Sequence, residues 1–115
     1  MAKVNPFTAV RPEQANAEKV ACPPYDVMSA DEARQMAADN PLSFLRVIRS
    51  EIDLARDIDP YAEEVYHKAL ENYQEIKAQA PFVRDDTPSY YIYELEMNGS
   101  RQTGIAAVAA VDDYD

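Results

Sequence analysis

The stretch SYYIYELEMNGSRQTGIAA, residues 89–107, decides the fold of this chain. Aromatic and β-branched residues alternate with polar ones on both sides of Asn98-Gly99. This dipeptide is typical of a two-residue type I′ hairpin turn, because both turn positions require positive φ. The predicted register pairs, from the tip inward, Met97 with Ser100, Glu96 with Arg101, and Tyr91 with Ala106.

Upstream of the hairpin, the sequence predicts one long and one short helix. Asp59-Pro60 is typical of a helix start, and a nonpolar stripe continues from there to Ala80, which predicts about six turns. The stripe consists of Ala62, Val65, Tyr66, Ala69, Leu70, Tyr73, Ile76 and Ala80. Ser29-Ala30-Asp31-Glu32 is a capping-box pattern and predicts a short helix that ends near Asn40, before Pro41.

Short nonpolar runs elsewhere favour additional strands. Residues 5–12 are rich in proline and suit an edge strand, whereas Lys19–Cys22 and Phe44–Ile48 read as short strands. The segment 105–111 is almost wholly nonpolar, which predicts a strand buried on both faces or covered on its second face by something else.

Together these elements predict a mixed α/β (α+β) fold. We expect a mixed or antiparallel sheet that includes the C-terminal hairpin, with the long and the short helix packed on it. At 115 residues, a single domain spanning residues 1–115 is the default. Because the nonpolar segment 105–111 is followed directly by the end of the chain, we expect the chain to be the N-terminal piece of a longer protein.

Charge and composition exclude several classes of function. The chain has 21 acidic and 11 basic residues and a net charge of -10, so nucleic acid and anionic membranes are not expected partners. Only Gly99 and Gly104 are glycines, which excludes a P-loop and a dinucleotide-binding fingerprint. The single cysteine, Cys22, allows no internal disulfide and favours a cytoplasmic location. The oligomeric state is left open.

Few residues offer metal or nucleophilic chemistry. Cys22 and His67 alone lack the ligands for a zinc site, and the acidic residues around Asp59 match no calcium loop, so no metal site is predicted. Cys22 reads better as a small buried hydrophobic residue than as a nucleophile, and His67 as a solvated side chain.

The segment Cys22-Pro23-Pro24-Tyr25-Asp26-Val27 is the best candidate for a functional site. Two prolines stiffen the backbone, so Tyr25 and Asp26 would be presented to a ligand at low entropic cost. The alternative is a rigid turn in which Asp26 caps the helix that follows. Arg11 has two similar interpretations, as a clamp for a carboxylate or phosphate, or as a surface ion-pair partner.

The order of several motifs resembles the beginning of the bacterial family known as domain of unknown function 1015. The resemblance covers nearly the whole chain, and Pro23-Pro24-Tyr25-Asp26 is its most specific part. The other motifs are Pro6-Phe7, Arg11-Pro12, Asn40-Pro41, Phe44-Leu45-Arg46, Asp59-Pro60-Tyr61, Phe82-Val83-Arg84-Asp85, Tyr91-Ile92-Tyr93 and Thr103-Gly104. Members of that family are several times longer, and a His-Glu-Arg-Thr-type motif expected downstream is absent here.

That family is in turn similar to the ParB/sulfiredoxin-like group, which includes kinases of free serine. The resemblance implies that Asp26 is the catalytic base toward a substrate hydroxyl and that Arg11 and Tyr25 bind the substrate. It also implies ATP or ADP with Mg²⁺ as cofactor in the full-length protein.

We therefore expect an enzyme domain that binds a small metabolite. The more specific expectation is a nucleotide-dependent kinase of free serine or a similar hydroxylated amino acid. The alternative is a non-catalytic structural or protein-interaction module. The two differ in whether Asp26 faces an open cleft together with Arg11 and Tyr25, or is used up by hydrogen bonds to nearby backbone.

Overall fold

The computed structural model describes residues 3–113. The chain divides into two compact units: unit 1 comprises Met1–Val10 and Arg84–Asp115, and unit 2 comprises Arg11–Val83. The helices are α1 (Gln14–Val20), α2 (Ala30–Ala37), α3 (Leu45–Ile48) and α4 (Glu63–Gln79). The strands are β1 (Val4–Asn5), β2 (Val10–Pro12), β3 (Phe82–Arg84), β4 (Tyr91–Met97), β5 (Ser100–Ala106) and β6 (Val108–Ala109). In the described residues they form three two-stranded sheets, β1 with β6, β2 with β3, and β4 with β5. The predicted mixed α+β class is confirmed.

Unit 1 is built around the β4–β5 hairpin. Asn98 has a φ of 52° and Gly99 a φ of 81°, which confirms the type I′ turn. The predicted register is confirmed at every pair named above, and Arg101 lies 3.5 Å from Glu96 and 3.0 Å from Glu94. Turn chemistry alone thus determined the pairing of these strands.

A tyrosine ties the start of unit 1 to its hairpin. The Tyr91 hydroxyl donates a hydrogen bond of 2.6 Å to Asp85 and accepts one of 3.0 Å from the Ala9 amide. The Tyr91 ring also packs on Phe7, with centroids 5.0 Å apart. One side chain therefore connects residues 7–9 with residues 85–91, two segments that are far apart in sequence.

Unit 2 contains two hydrophobic clusters. The first joins α2, α3 and the 3-10 segment Ser50–Asp53, and it consists of Ala33, Ala37, Leu45 and Ile52 with Cys22 and Met28 at its edge. The second joins α1, the end of α4 and β3, and it consists of Val20, Ile76 and Ala80 with Leu42, Phe44, Val47 and Phe82 packed against them. Burial of nonpolar area in these clusters stabilises the helices of this unit.

A buried polar network connects α3 to α4. Asn72, only 4% exposed, donates to the Arg46 carbonyl at 2.8 Å and to Asp53 at 2.9 Å. The Arg46 guanidinium in turn contacts Asp53 at 2.5 Å and the carbonyls of Ala37 and Asn40. The network fixes residues 46–53, and no buried side-chain polar atom in the described chain lacks a hydrogen-bond partner, so the cost of desolvating these groups is offset.

The capping box of the short helix is confirmed. The Ser29 hydroxyl accepts from the Glu32 amide at 3.2 Å, and Glu32 accepts from the Ser29 amide at 3.2 Å. The helix ends at Ala37, close to the predicted end before Pro41.

Two predicted strands are helical instead. The sequence predicts a strand at Lys19–Cys22, but α1 extends to Val20, which is buried in the second cluster, and Ala21 and Cys22 follow the helix. Four of the five residues at 14–18 favour a helix, Asn16 being the exception. Phe44–Ile48 was also predicted as a strand, and it forms α3 because helical geometry directs Leu45 into the first cluster. The hydrophobic periodicity of a nonpolar run this short does not distinguish a helix from a strand.

The long helix begins later than predicted. Asp59 is not its cap: the Asp59 carboxylate accepts from the Tyr61 amide at 2.9 Å in a tight turn, and the helix starts at Glu63 after Ala62. With 17 residues, α4 has about five turns instead of six. Its nonpolar stripe is buried only in part, since Tyr66 is 61% exposed and Leu70 is 57% exposed.

The segment 105–111 is not buried on both faces. Ile105 is 75% exposed and Val111 is 84% exposed, and the segment is divided between β5, β6 and a 3-10 turn that begins at Val111. Its nonpolar composition therefore does not reflect burial among the described residues.

Two further expectations stay predictions. The helix α4 packs within unit 2 against α3 and residues 50–53, whereas the hairpin belongs to unit 1, so the packing of the helices on the hairpin sheet is not established. The same holds for the single domain spanning residues 1–115.

Across the described residues, no helix combines the length and the nonpolar character needed to cross a bilayer.

Candidate functional site

Unit 2 contains an open cavity of about 520 Å³. It lies between the loop after the two prolines, the end of α3 and the first turns of α4. The lining comes from residues 25, 26 and 28, from 47–51, and from 60, 61, 65, 66 and 69. Its volume is within the range of small-molecule sites in proteins.

Arg49 holds the loop that carries the predicted site residues. Tyr25–Val27 form a single 3-10 turn after Pro24. The Arg49 Nη1 donates to the carbonyl of Tyr25 at 2.9 Å and to that of Met28 at 3.0 Å, and thus ties down both sides of the turn. Arg49 is itself held by Glu51, with 2.5 Å between Nε and the carboxylate.

Asp26 lies in the middle of this turn, and its side chain is exposed at the cavity. Among residues 3–113 the structure records no hydrogen bond or ion pair of the Asp26 carboxylate. The interpretation of Asp26 as the cap of α2 is therefore wrong, because Ser29 fills that role with its own hydroxyl. A carboxylate without protein partners at a cavity is available to a ligand.

Three tyrosine side chains line the same cavity. Tyr25 was predicted, whereas Tyr61 and Tyr66 were not proposed as site residues. All three are more than half exposed. Tyr66 belongs to the nonpolar stripe of α4 that the sequence predicts to be buried. Because Tyr66 is exposed next to the cavity, only part of this stripe is buried. Phenol rings of this kind offer both a nonpolar face and a hydroxyl to a ligand.

The charges along the cavity do not balance. The charged residues among those that line it are Asp26, Glu51 and Arg49, and the ion pair between the last two leaves Asp26 uncompensated. The rest of the lining is nonpolar or hydroxyl-bearing. The cavity is therefore suited to a small polar ligand and poorly suited to a polyphosphate group.

Arg11 does not belong to this cavity. The structure places it in β2, and the described residues that line the cavity do not include it. Tyr25 and Asp26 are thus brought together, whereas Arg11 is not, and Arg49 is the arginine beside them. The sequence offered no signal for Arg49, which lies 23 positions after Asp26 and is placed there only by tertiary packing.

Cys22 and His67 take no part in the cavity. Cys22 is half-buried against the first hydrophobic cluster, and this burial raises the pKa of its thiol. A neutral thiol agrees with the predicted role of a small hydrophobic residue. His67 is exposed on α4, and the described residues contain no cluster of three or more potential metal ligands.

A second, smaller cavity of about 240 Å³ is lined by Arg34, Arg46 and Asp53 among others. Its two arginines already donate to backbone carbonyls and to carboxylates: Arg34 to the carbonyls of Glu51 and Ile52, and Arg46 to Asp53. We interpret it as part of the structural framework behind the larger cavity.

A family model described as "Protein of unknown function (DUF1015)" matches residues 4–115. The chain belongs to this family. The match includes every residue of the cavity in this DUF1015 chain, and with it the Pro23-Pro24-Tyr25-Asp26 motif on which the resemblance was based. Comparison with curated proteins and with solved structures gives no significant match. The roles assigned to Asp26, Tyr25 and Arg11 stay predictions.

Proposed function

We propose that the cavity of unit 2 binds a small hydroxylated metabolite and that Asp26 accepts a proton from its hydroxyl. The observation that carries this proposal is an exposed carboxylate that has no partner among residues 3–113, on a turn that Arg49 holds at both sides. A general base needs this combination of fixed position and free lone pairs.

In its finer form, the proposed activity is that of a nucleotide-dependent kinase of free serine or a similar hydroxylated amino acid. The Asp26 carboxylate would take the hydroxyl proton while the hydroxyl oxygen forms a bond to the terminal phosphorus of ATP or ADP. The bond from that phosphorus to the bridging oxygen breaks, and the nucleotide leaves with one phosphate fewer. Family membership, together with the expected similarity of this family to the ParB/sulfiredoxin-like group, motivates this form.

The substrate and the nucleotide phosphates would occupy different places. The ion pair between Arg49 and Glu51 leaves the lining with an excess of one negative charge, from Asp26. Phosphates that carry three or four negative charges would be repelled there, so we propose that they bind outside the cavity, with Mg²⁺. Tyr25, Tyr61 and Tyr66 would contact the metabolite.

The test is an assay of the natural protein with ATP or ADP, Mg²⁺ and free L-serine, in which O-phosphoserine is measured by mass spectrometry. We expect phosphoserine to form and Asp26→Asn to lower kcat by at least about 100-fold, the usual loss for a general base. Asp39→Asn is the matched control, because Asp39 is exposed and does not line the cavity. Absence of phosphoserine, or full activity of Asp26→Asn, would contradict the kinase proposal.

The second candidate function is a non-catalytic module that associates through the hairpin with a second copy of this chain. Ile92 and Ile105 are cross-strand partners and are 79% and 75% exposed. Two copies related by a twofold axis could bury these exposed isoleucines against each other. For such a module, the assay gives no phosphoserine, and light scattering gives twice the monomer mass.

We also propose a cytoplasmic location. The single cysteine, which is half-buried and carries a neutral thiol, suits a reducing compartment, and the proposed nucleotide substrate is available there.

A further inference from the structure

We propose that Arg49 binds the carboxylate of the metabolite, so that the ligand of this cavity is a hydroxylated acid or amino acid and not merely an alcohol. This inference rests on the proposed function, and it names the substrate class of the same site. Sequence reasoning had assigned anion binding to Arg11, which lies outside the cavity lining.

The first observation is an unused donor on Arg49. Its Nε contacts Glu51 and its Nη1 donates to two carbonyls, whereas Nη2 has no hydrogen-bond partner among the described residues. In the described chain, every side-chain nitrogen that is shielded from solvent has a hydrogen-bond partner. Because Arg49 is only partly exposed, its Nη2 must therefore be reached by solvent, and Arg49 lines the cavity.

The second observation is the position of the guanidinium relative to Asp26. Nη1 is bonded to the carbonyl of Tyr25, the residue directly before Asp26. Arg49 and Asp26 both line the cavity, and this hydrogen bond holds the backbone next to Asp26 against the guanidinium. A short molecule that carries a carboxylate and a hydroxyl on neighbouring carbons could contact both.

The charge of the site selects a carboxylate over a phosphate chain. Arg49 offers one nitrogen that has no partner among residues 3–113, since the other two are engaged, and its guanidinium is already paired with Glu51. A singly charged carboxylate can accept a charge-assisted hydrogen bond from this nitrogen. A polyphosphate would need several donors and would be repelled by Asp26 and Glu51.

The experiment compares two ligands that share a hydroxyl and an amine. L-serine carries a carboxylate and ethanolamine does not. Binding of each to the protein is measured by nuclear magnetic resonance titration for the wild type, Arg49→Lys and Arg56→Lys. Arg56 is the matched control, because it is 76% exposed, pairs with Asp31 and does not line the cavity.

We expect the wild type to bind L-serine at least about tenfold more tightly than ethanolamine, as charge-assisted hydrogen bonds predict. In Arg49→Lys this preference should disappear, because the lysine ammonium is taken up by Glu51. Loss of the hydrogen bonds to the carbonyls of Tyr25 and Met28 would act on both ligands alike, so the ratio of the two affinities is the quantity that tests the inference. Arg56→Lys should retain the preference. If Arg49→Lys weakens both ligands by the same factor, Arg49 is structural only and the inference is wrong.

A second variant keeps the test informative if Arg49→Lys does not fold. Glu51→Gln removes the carboxylate that competes for the guanidinium, so the affinity for L-serine should rise while that for ethanolamine does not. An unchanged preference in this variant would overturn the inference. Stronger displacement of L-serine by ATP from Glu51→Gln than from the wild type would do the same, because it would show that the released Arg49 guanidinium binds phosphate.

The outcomes separate the two proposals. If the wild type binds neither ligand, the proposed metabolite site is wrong, and the proposed binding of a carboxylate by Arg49 is wrong as well. If it binds both ligands equally, the site stands and the inference about the carboxylate is wrong.

Discussion

At the residue scale, the structure distinguishes side chains that stabilise the fold from side chains that are available to a ligand. Asp53 and Asp26 are both acidic residues of unit 2, but Asp53 pairs with Arg46 and Asn72, whereas Asp26 has no partner in the described chain. Arg49 stands between these classes, with two nitrogens engaged by the protein and one in contact with solvent. Sequence alone gives no such division, since it depends on which groups meet in space.

A substitution at Asn72 tests the polar network behind the cavity. Asn72→Ala removes two hydrogen bonds and leaves the Arg46 carbonyl and one Asp53 oxygen without this donor in a buried place. We expect the free energy of unfolding to fall by about 1–3 kcal/mol, measured by urea denaturation.

Gln74→Ala is the control for this experiment, because Gln74 is an exposed amide on the same helix. It should change stability by less than about 0.5 kcal/mol. Equal stability of the two variants would mean that the network contributes nothing to folding.

At the element scale, the hairpin and α2 are local structures whose determinants lie within a few residues. The β4–β5 register follows from Asn98-Gly99, and α2 follows from a capping box that closes over four residues. The short helices α1 and α3 are the opposite case. Their form depends on where Val20 and Leu45 are buried, which involves residues far away in the chain.

The two glycines of the hairpin provide a matched test of the turn. Gly99 has a φ of 81°, so Gly99→Ala places a Cβ in a left-handed conformation and should cost about 1–2 kcal/mol. Gly104 is not at positive φ, and an added Cβ there meets no atom within 4 Å. Gly104→Ala should therefore be neutral or stabilising by up to about 1 kcal/mol.

Thermal unfolding followed by circular dichroism measures both variants. The explanation of the turn requires a lower melting temperature for Gly99→Ala than for Gly104→Ala. The reverse order would show that strand packing at Gly104, and not turn geometry, limits the stability of the hairpin.

At the scale of the whole molecule, burial is distributed unequally between the two units. The buried hydrophobic residues of the described chain all lie within unit 2. Unit 1 relies on strand hydrogen bonds, the Tyr91 contacts and half-exposed rings. Since burial of nonpolar area is the main stabilising contribution, unit 2 should be the more resistant to opening.

Hydrogen exchange tests this difference. We expect amides in the centre of α4, from Ala69 to Ile76, to exchange at least about tenfold more slowly than amides in the β4–β5 ladder under native conditions. The measurement is exchange followed by nuclear magnetic resonance, so that single amides are resolved. Slower exchange in the hairpin would mean that unit 1 has a source of stability other than burial.

The candidate site was predictable only in part. Pro23 and Pro24 indicated a stiff loop, so Tyr25 and Asp26 could be selected from the sequence, and both line the cavity. Arg11 was selected for its position between Phe7 and Pro12 and lies elsewhere, whereas Arg49, Tyr61 and Tyr66 were missed. Tyr61 stands in the Asp59-Pro60-Tyr61 motif and Tyr66 in the nonpolar stripe of α4, but neither pattern indicates a site with Asp26, because that arrangement results from the packing of α3 and α4.

The sequence by itself determined the mixed α+β class, the hairpin with its register, the capped short helix and the stiff loop that carries Asp26. The physical reason is that turn geometry, capping and proline restriction act over two to four residues. Tertiary structure alone decided that Phe44–Ile48 is helical, that Asp59 is not a cap, and that Arg49 and not Arg11 stands beside Asp26. These features depend on burial and on hydrogen bonds between distant segments, which no local pattern encodes.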